Sequence, residues 1–132
     1  MSHKTVYKHG VSSAILAAGD TTLVEFETGP YTHMGFQLSV ATQALDNFDL
    51  FIRCHESGPW QDITPANWAS LAATDYHGLL YSSGNLAALA AAASGYFELQ
   101  NTGVQAVQIK VSAAVDGAIV SWWASFDNEG EG

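Results

Sequence analysis

Three groupings in the sequence have residue types suited to chemistry. Cys54-His55-Glu56 sets three metal-ligand types in a row. Neighbouring side chains of a strand point to opposite faces, so three consecutive ones do not converge on one ion. Asp75 and His77 are two apart, the spacing at which a carboxylate orients an imidazole base or both hold a metal. No third partner accompanies them, and a solvated loop pair is the simpler reading. Glu25 and Glu27 share one face of a strand, and a glycosidase uses two carboxylates. Burial of Val24 and Phe26 on the other face already explains that pattern.

The chain has no Gly-x-Ser-x-Gly, no glycine-rich phosphate loop, no His-Glu-x-x-His and no pair of cysteines, so the familiar catalytic and cofactor motifs are missing. The expectation is a protein without catalytic residues, cofactor or metal. Cys54 is the one cysteine, which rules out an internal disulfide. It continues the phase of Phe48, Leu50 and Ile52, which predicts a buried, inert thiol.

The elements that carry these residues are strands. Met34, Phe36, Leu38 and Val40 alternate with His33, Gly35, Gln37 and Ser39, one face buried and one wet. Val107, Ile109, Val111 and Ala113 repeat the pattern, as do Ala118, Val120, Trp122, Ala124 and Phe126. Gly-, Pro- and Asp-containing turns punctuate the runs. Asp116-Gly117 between two alternating runs is the strongest hairpin signal.

Strands are predicted near residues 11–17, 21–28, 33–41, 48–54, 59–63, 78–82, 95–101, 104–114 and 117–126. About eight or nine short strands at this spacing predict an all-β, antiparallel two-sheet sandwich, a jelly roll in form. Two segments interrupt it. Thr64-Pro65 is a cap followed by a first-turn proline and predicts one or two helical turns through Leu71. Asn85 to Gly95 reads as a short helix, a packed loop or a plain strand. The domain reading is an N-terminal arm over 1–10, a sandwich over 11–126 and an acidic tail over 127–132.

Composition bounds the partner. The 132 residues suit one domain, and only 13% are charged, about half the usual share. Thirteen acids against four bases leave a net charge of −9, which repels a phosphate backbone and excludes nucleic acid as the expected partner. The start of the chain has no apolar signal core, and no apolar run of about eighteen residues exists. A soluble protein made in the cytoplasm, with no membrane partner, is therefore expected.

Two of the four basic residues, Lys4 and Lys8, lie beside His3, Val6, Tyr7 and His9. This stretch is either a basic arm for an acidic neighbour or a solvated terminus. Trp122 falls in the buried phase, but Trp123 falls with Ser121 and Ser125, and Phe51 lies between Asp49 and Arg53. Rings on a wet face are interface anchors, cover for a sheet beneath a loop, or sugar-stacking platforms. Trp60, Trp68 and Trp123 keep the sugar reading open. The candidate interface residues are thus His3, Lys4, Val6, Tyr7, Lys8, Phe51 and Trp123.

Two stretches carry a family resemblance. The run from Gly95 through Gly-Val at 103–104 and Asp116-Gly117 to Trp122-Trp123-Ala124 resembles small virion structural proteins of tailed bacteriophages, and Leu23 to Val40 is similar to their early strands. Together they span about half the chain. Among such proteins it looks most like capsid decoration (cement) proteins. The resemblance implies a virion protein on the outer surface of the head, made in the host cytoplasm. Its implied partner is the major capsid protein, and its implied state a homo-oligomer, dimer or trimer. Tail, neck and fibre-associated proteins share the pattern, and a carbohydrate- or receptor-binding module or a small cupin-like enzyme fits the same fold.

Overall fold

The structure is a computed structural model that describes residues 5–100 and 104–128. Nine strands run in chain order: β1 Thr5–Val11, β2 Thr21–Glu27, β3 His33–Ala41, β4 Leu45–Arg53, β5 Gln61–Asp62, β6 Leu79–Ser83, β7 Ser94–Gln100, β8 Ala106–Ala113 and β9 Ile119–Asp127. One sheet has the order β1-β9-β3-β7-β6 and the other β2-β8-β4-β5. The antiparallel pairs β1·β9, β2·β8, β3·β7 and β4·β5 are nested one inside the next. A long hairpin rolled so that successive pairs alternate between two sheets is a jelly roll, the architecture expected.

The alternating residues build the core between the sheets. Met34, Phe36, Leu38 and Val40 of β3 meet Val107, Ile109 and Val111 of β8 as one buried cluster. Aromatic rings join the layers. Phe36 and Phe97 from the first sheet lie 5.5 Å apart, and Phe48 from the second lies 6.5 Å from Phe36. Trp68 closes the cluster from a loop, edge-on to Phe48 at 5.3 Å. Trp122 packs on the core as its phase predicts, 5.4 Å from Phe26.

Several expectations are corrected. Asp116-Gly117 is not a hairpin, because β8 and β9 belong to different sheets. It is a corner between layers. Gly117 adopts φ 112°, its N–H donates to Ile15 O at 2.8 Å, and the Asp116 carboxylate accepts Ala17 N–H at 2.8 Å. Thr64-Pro65 starts no helix. Thr64 Oγ1 instead accepts Leu50 N–H at 2.8 Å, and Asn67 holds a single turn by accepting Ala69 N–H. Of the segment 85–95, residues 85–93 form a packed loop with one 3₁₀ turn, Leu86–Ala88, and β7 begins at Ser94.

The sandwich also reaches further than 11–126. The first strand is Thr5–Val11, not 11–17, and Ile15 keeps only an isolated bridge to Ala118. At the other end Asp127 pairs with both Thr5 and His33. Cys54 is exposed. Its phase with Ile52 ends because β4 stops at Arg53, whose carbonyl accepts Gln105 N–H.

Candidate docking surface

The groupings with chemical residue types stay apart or serve local turns. His55 Nδ1 lies 2.9 Å from Ser57 Oγ and accepts Ser57 N–H, both within its own turn. The Asp75 carboxylate accepts Ala72 N–H at 2.6 Å, which fixes a turn and leaves His77 exposed. Glu25 accepts a hydrogen bond from Gln108 Nε2 at 3.0 Å. Among the described residues, no group of three or more His, Cys, Asp or Glu is placed to hold a metal.

The outward face of the five-stranded sheet is organised differently. One cross-strand row is His9, Trp123, Gln37, Tyr96, and the next is Tyr7, Ser125, Gly35, Glu98. Three rings therefore surround a position with no side chain. A Cβ at Gly35 would stand 2.9 Å from Ser125 Oγ, so glycine here keeps an open floor. The result is a groove of about 230 Å³ walled by Tyr7, Tyr96 and Trp123. Tyr7 is 77% exposed and Trp123 46%.

Charge is pushed to one end of this face. His33 Nε2 lies 3.3 Å from Glu98 Oε1, and His33 Nδ1 lies 4.0 Å from Asp127 Oδ2. The middle of the face holds Gln37, Ser39, Ser121, Ser125 and the rings. On a molecule of net charge −9, an uncharged area with aromatic anchors has the composition of an interface centre.

Of the sequence candidates, Tyr7 and Trp123 come together here. Val6 and Lys8 lie on the same strand but in its inward phase, opposite Phe126 and Ala124. His3 and Lys4 lie outside the described residues. Phe51 is on the outward face of the other sheet, paired with Gln108 and Asp62, with Lys110 Nζ 5.6 Å from its ring centroid. One flat partner surface does not reach both Phe51 and Trp123. Trp60 is also covered, with the Arg53 guanidinium 4.5 Å from its ring. Trp68 is 3% exposed and donates its indole N–H to Phe48 O, so it belongs to the core. Sequence reading passed over Gly35 and Tyr96. Both stand in the wet phase, and the rule that singled out Trp123 applies equally to Tyr96.

The Phe51 face is the charged one. Burial pushes the Asp49 carboxyl above the ordinary value of 3.8; the Asn47 hydrogen bond opposes this, and Asp20 and Asp62 add to it. The folded state therefore binds this proton more tightly than the unfolded chain. Stability then falls as pH rises from 3.8 through the folded value. Asp49→Asn is expected to raise Tm at neutral pH, with the gain shrinking toward about pH 4. Melts of both proteins across that range measure it, and a pH-independent difference refutes the assignment.

Fold and face together define a small jelly-roll protein with one uncharged, aromatic sheet surface. No protein-family model and no curated protein matches the sequence. Solved structures do match the fold. The SPBc2 prophage-derived protein YomS superposes with a TM-score of 0.62 at 10% identity, covering 97% of this chain and 96% of its own. A chain in the structure of the infectious bursal disease virus Gx strain superposes at 0.51 and 10% identity over 99% of this chain. This chain spans 34% of that one. Both likenesses are of fold.

Proposed function

We propose that this chain is a non-enzymatic virion structural protein of a tailed bacteriophage, a decoration protein that docks on the outside of the head across contacts between major capsid subunits. The observation that carries the reading is the uncharged groove face with Tyr7, Tyr96 and Trp123 on an otherwise acidic jelly roll. Fold likeness to a prophage-derived protein along nearly the whole chain supports it. The docking elements are β1, with His3 and Lys4 before it, and the Trp123 groove. Phe51 serves a second contact, which an oligomer bridging several subunits needs.

The test mixes purified protein with undecorated heads of the phage that encodes it. The protein is expected to sediment with the heads and raise their resistance to heat. Trp123→Ala is expected to weaken binding by about 2 kcal/mol or more, roughly thirtyfold. Its own unfolding free energy should shift by less than about 1 kcal/mol, because the ring is half exposed. Wild-type protein that neither sediments nor protects sinks the reading.

A second reading has one specific observation behind it: rings flanking a glycine floor can also stack on a sugar. Burial of Trp68 and the cation over Trp60 reduce it to the Trp123 groove. Saturable glycan-array binding that Trp123→Ala abolishes establishes it, and an empty array removes it.

A further inference from the structure

The two sheets have four edges, and three are interrupted. β5 is two residues long, while β2 and β6 each carry a register shift, at Thr22/Val24 and Leu79/Tyr81. Short or bulged edges are how sandwiches prevent another strand from adding. β1 is the exception. It runs seven residues in unbroken register against β9, has no proline, and lies at the end of its sheet.

The ladder fixes which backbone groups are free. Ser12 extends the β1 register, and its N–H donates to Val120 O at 2.8 Å. Antiparallel bonding alternates, so Val6, Lys8 and Gly10 bond to β9. The N–H and C=O groups of Thr5, Tyr7, His9 and Val11 point to the open edge. Beside that edge the sheets part around a cleft of about 410 Å³, lined by Phe26, Tyr31 and Phe126 with Glu25, Glu27 and Lys8 at its mouth. Two carboxylates against one ammonium, on a chain of net charge −9, leave the local field negative.

We propose that the β1 edge is a strand-addition site for an extended segment of the partner that alternates apolar and basic side chains. The added strand bonds to Thr5, Tyr7, His9 and Val11, turns its basic side chains toward the glutamates at the mouth of the Phe26–Tyr31–Phe126 cleft, and lays its apolar ones on the outer face beside Tyr7 and Val11. A second copy of β1 is a poorer occupant. Antiparallel pairing over the whole strand sets Lys8 opposite Lys8, and like charges directly opposed destabilise. The proposal rests on the docking role above only for which protein supplies the strand.

The experiment uses the full chain with a soluble nine-residue peptide alternating valine and lysine, and a control alternating valine and glutamate. The lysine peptide should bind saturably, slow amide exchange at Tyr7, His9 and Val11, and weaken as salt rises. Glu25→Gln with Glu27→Gln, both exposed, should weaken it about tenfold. His9→Pro removes an outward N–H and no ladder bond. It should abolish peptide binding with little loss of Tm, whereas His9→Ala should bind normally. If His9→Pro fails to fold, Val11→Pro, which also removes an outward N–H and no ladder bond, replaces it.

Equal binding of the two peptides, no exchange protection, or full binding by His9→Pro overturns the proposal. So does a wild-type dimer that His9→Pro makes monomeric, because the edge then belongs to a second copy. On heads, binding by wild type and by His9→Pro alike keeps the docking role and discards the added strand. No binding to heads by the wild type discards the docking role and leaves the peptide result to decide the edge.

Discussion

Phe97→Ala is expected to lower the unfolding free energy by about 3–5 kcal/mol, the usual cost of deleting a fully buried phenylalanine. The ring has no solvent exposure and sits where both layers meet. Its centroid lies 5.5 Å from Phe36, 6.1 Å from Phe48 and 5.9 Å from Trp68. Truncation removes three aromatic contacts at once, and the strands around it are too tightly paired to collapse into the space. A domain of this size is stable by about 5–15 kcal/mol, so the loss is a large fraction of the total. Urea denaturation measures the difference. A loss under about 1 kcal/mol contradicts the packing described.

The same cluster shows what could be read from the sequence. β3 and β9 alternate because one face of each is buried, and β8 alternates because its apolar side chains face the core while Gln108 and Ser112, also buried, face the other way; hydrophobic period reports such patterns directly. β1 escaped because its inward phase is Val6, Lys8 and Gly10, which does not read as apolar. Lys8 sits at the cleft mouth, and a Cβ at Gly10 would stand 2.7 Å from the Trp122 ring. Glycine there makes room for a neighbour's indole. The Asp116-Gly117 signal was local and correct as a reversal, but turn chemistry does not say whether the next strand stays in the same sheet. Thr64-Pro65 failed as a helix start because tertiary demand won: the threonine oxygen serves Leu50 N–H, and Trp68 plugs the core.

The candidate docking face was half legible. Trp123 announced itself as a large ring in a wet phase. That Tyr7 and Tyr96 stand around the same groove depends on β1, β3, β7 and β9 being neighbours, a fact of topology that period-two alternation does not contain. Phe51 carried the same local signal as Trp123, yet the jelly roll sends it to the opposite face.

Gly95→Ala is expected to destabilise the fold by about 1–3 kcal/mol, the range for forcing an extra methyl into a packed core. Gly95 is buried in β7 opposite Leu38, and a Cβ there would overlap Leu86 Cδ2 and stand 3.1 Å from Leu89 Cδ1. Both leucines come from the loop around the 3₁₀ turn and are buried, so neither can swing into solvent without exposing apolar surface. The cause is space, which a double-mutant cycle distinguishes from any intrinsic weakness of alanine. Leu86→Ala alone leaves a cavity and should cost about 2–5 kcal/mol. Combined with Gly95→Ala, the new methyl occupies part of that cavity. The double variant should therefore be more stable than the sum of the singles by about 0.5–3 kcal/mol. Strict additivity means that the two side chains do not compete for the same volume, and the packing of this loop against β7 is then wrong.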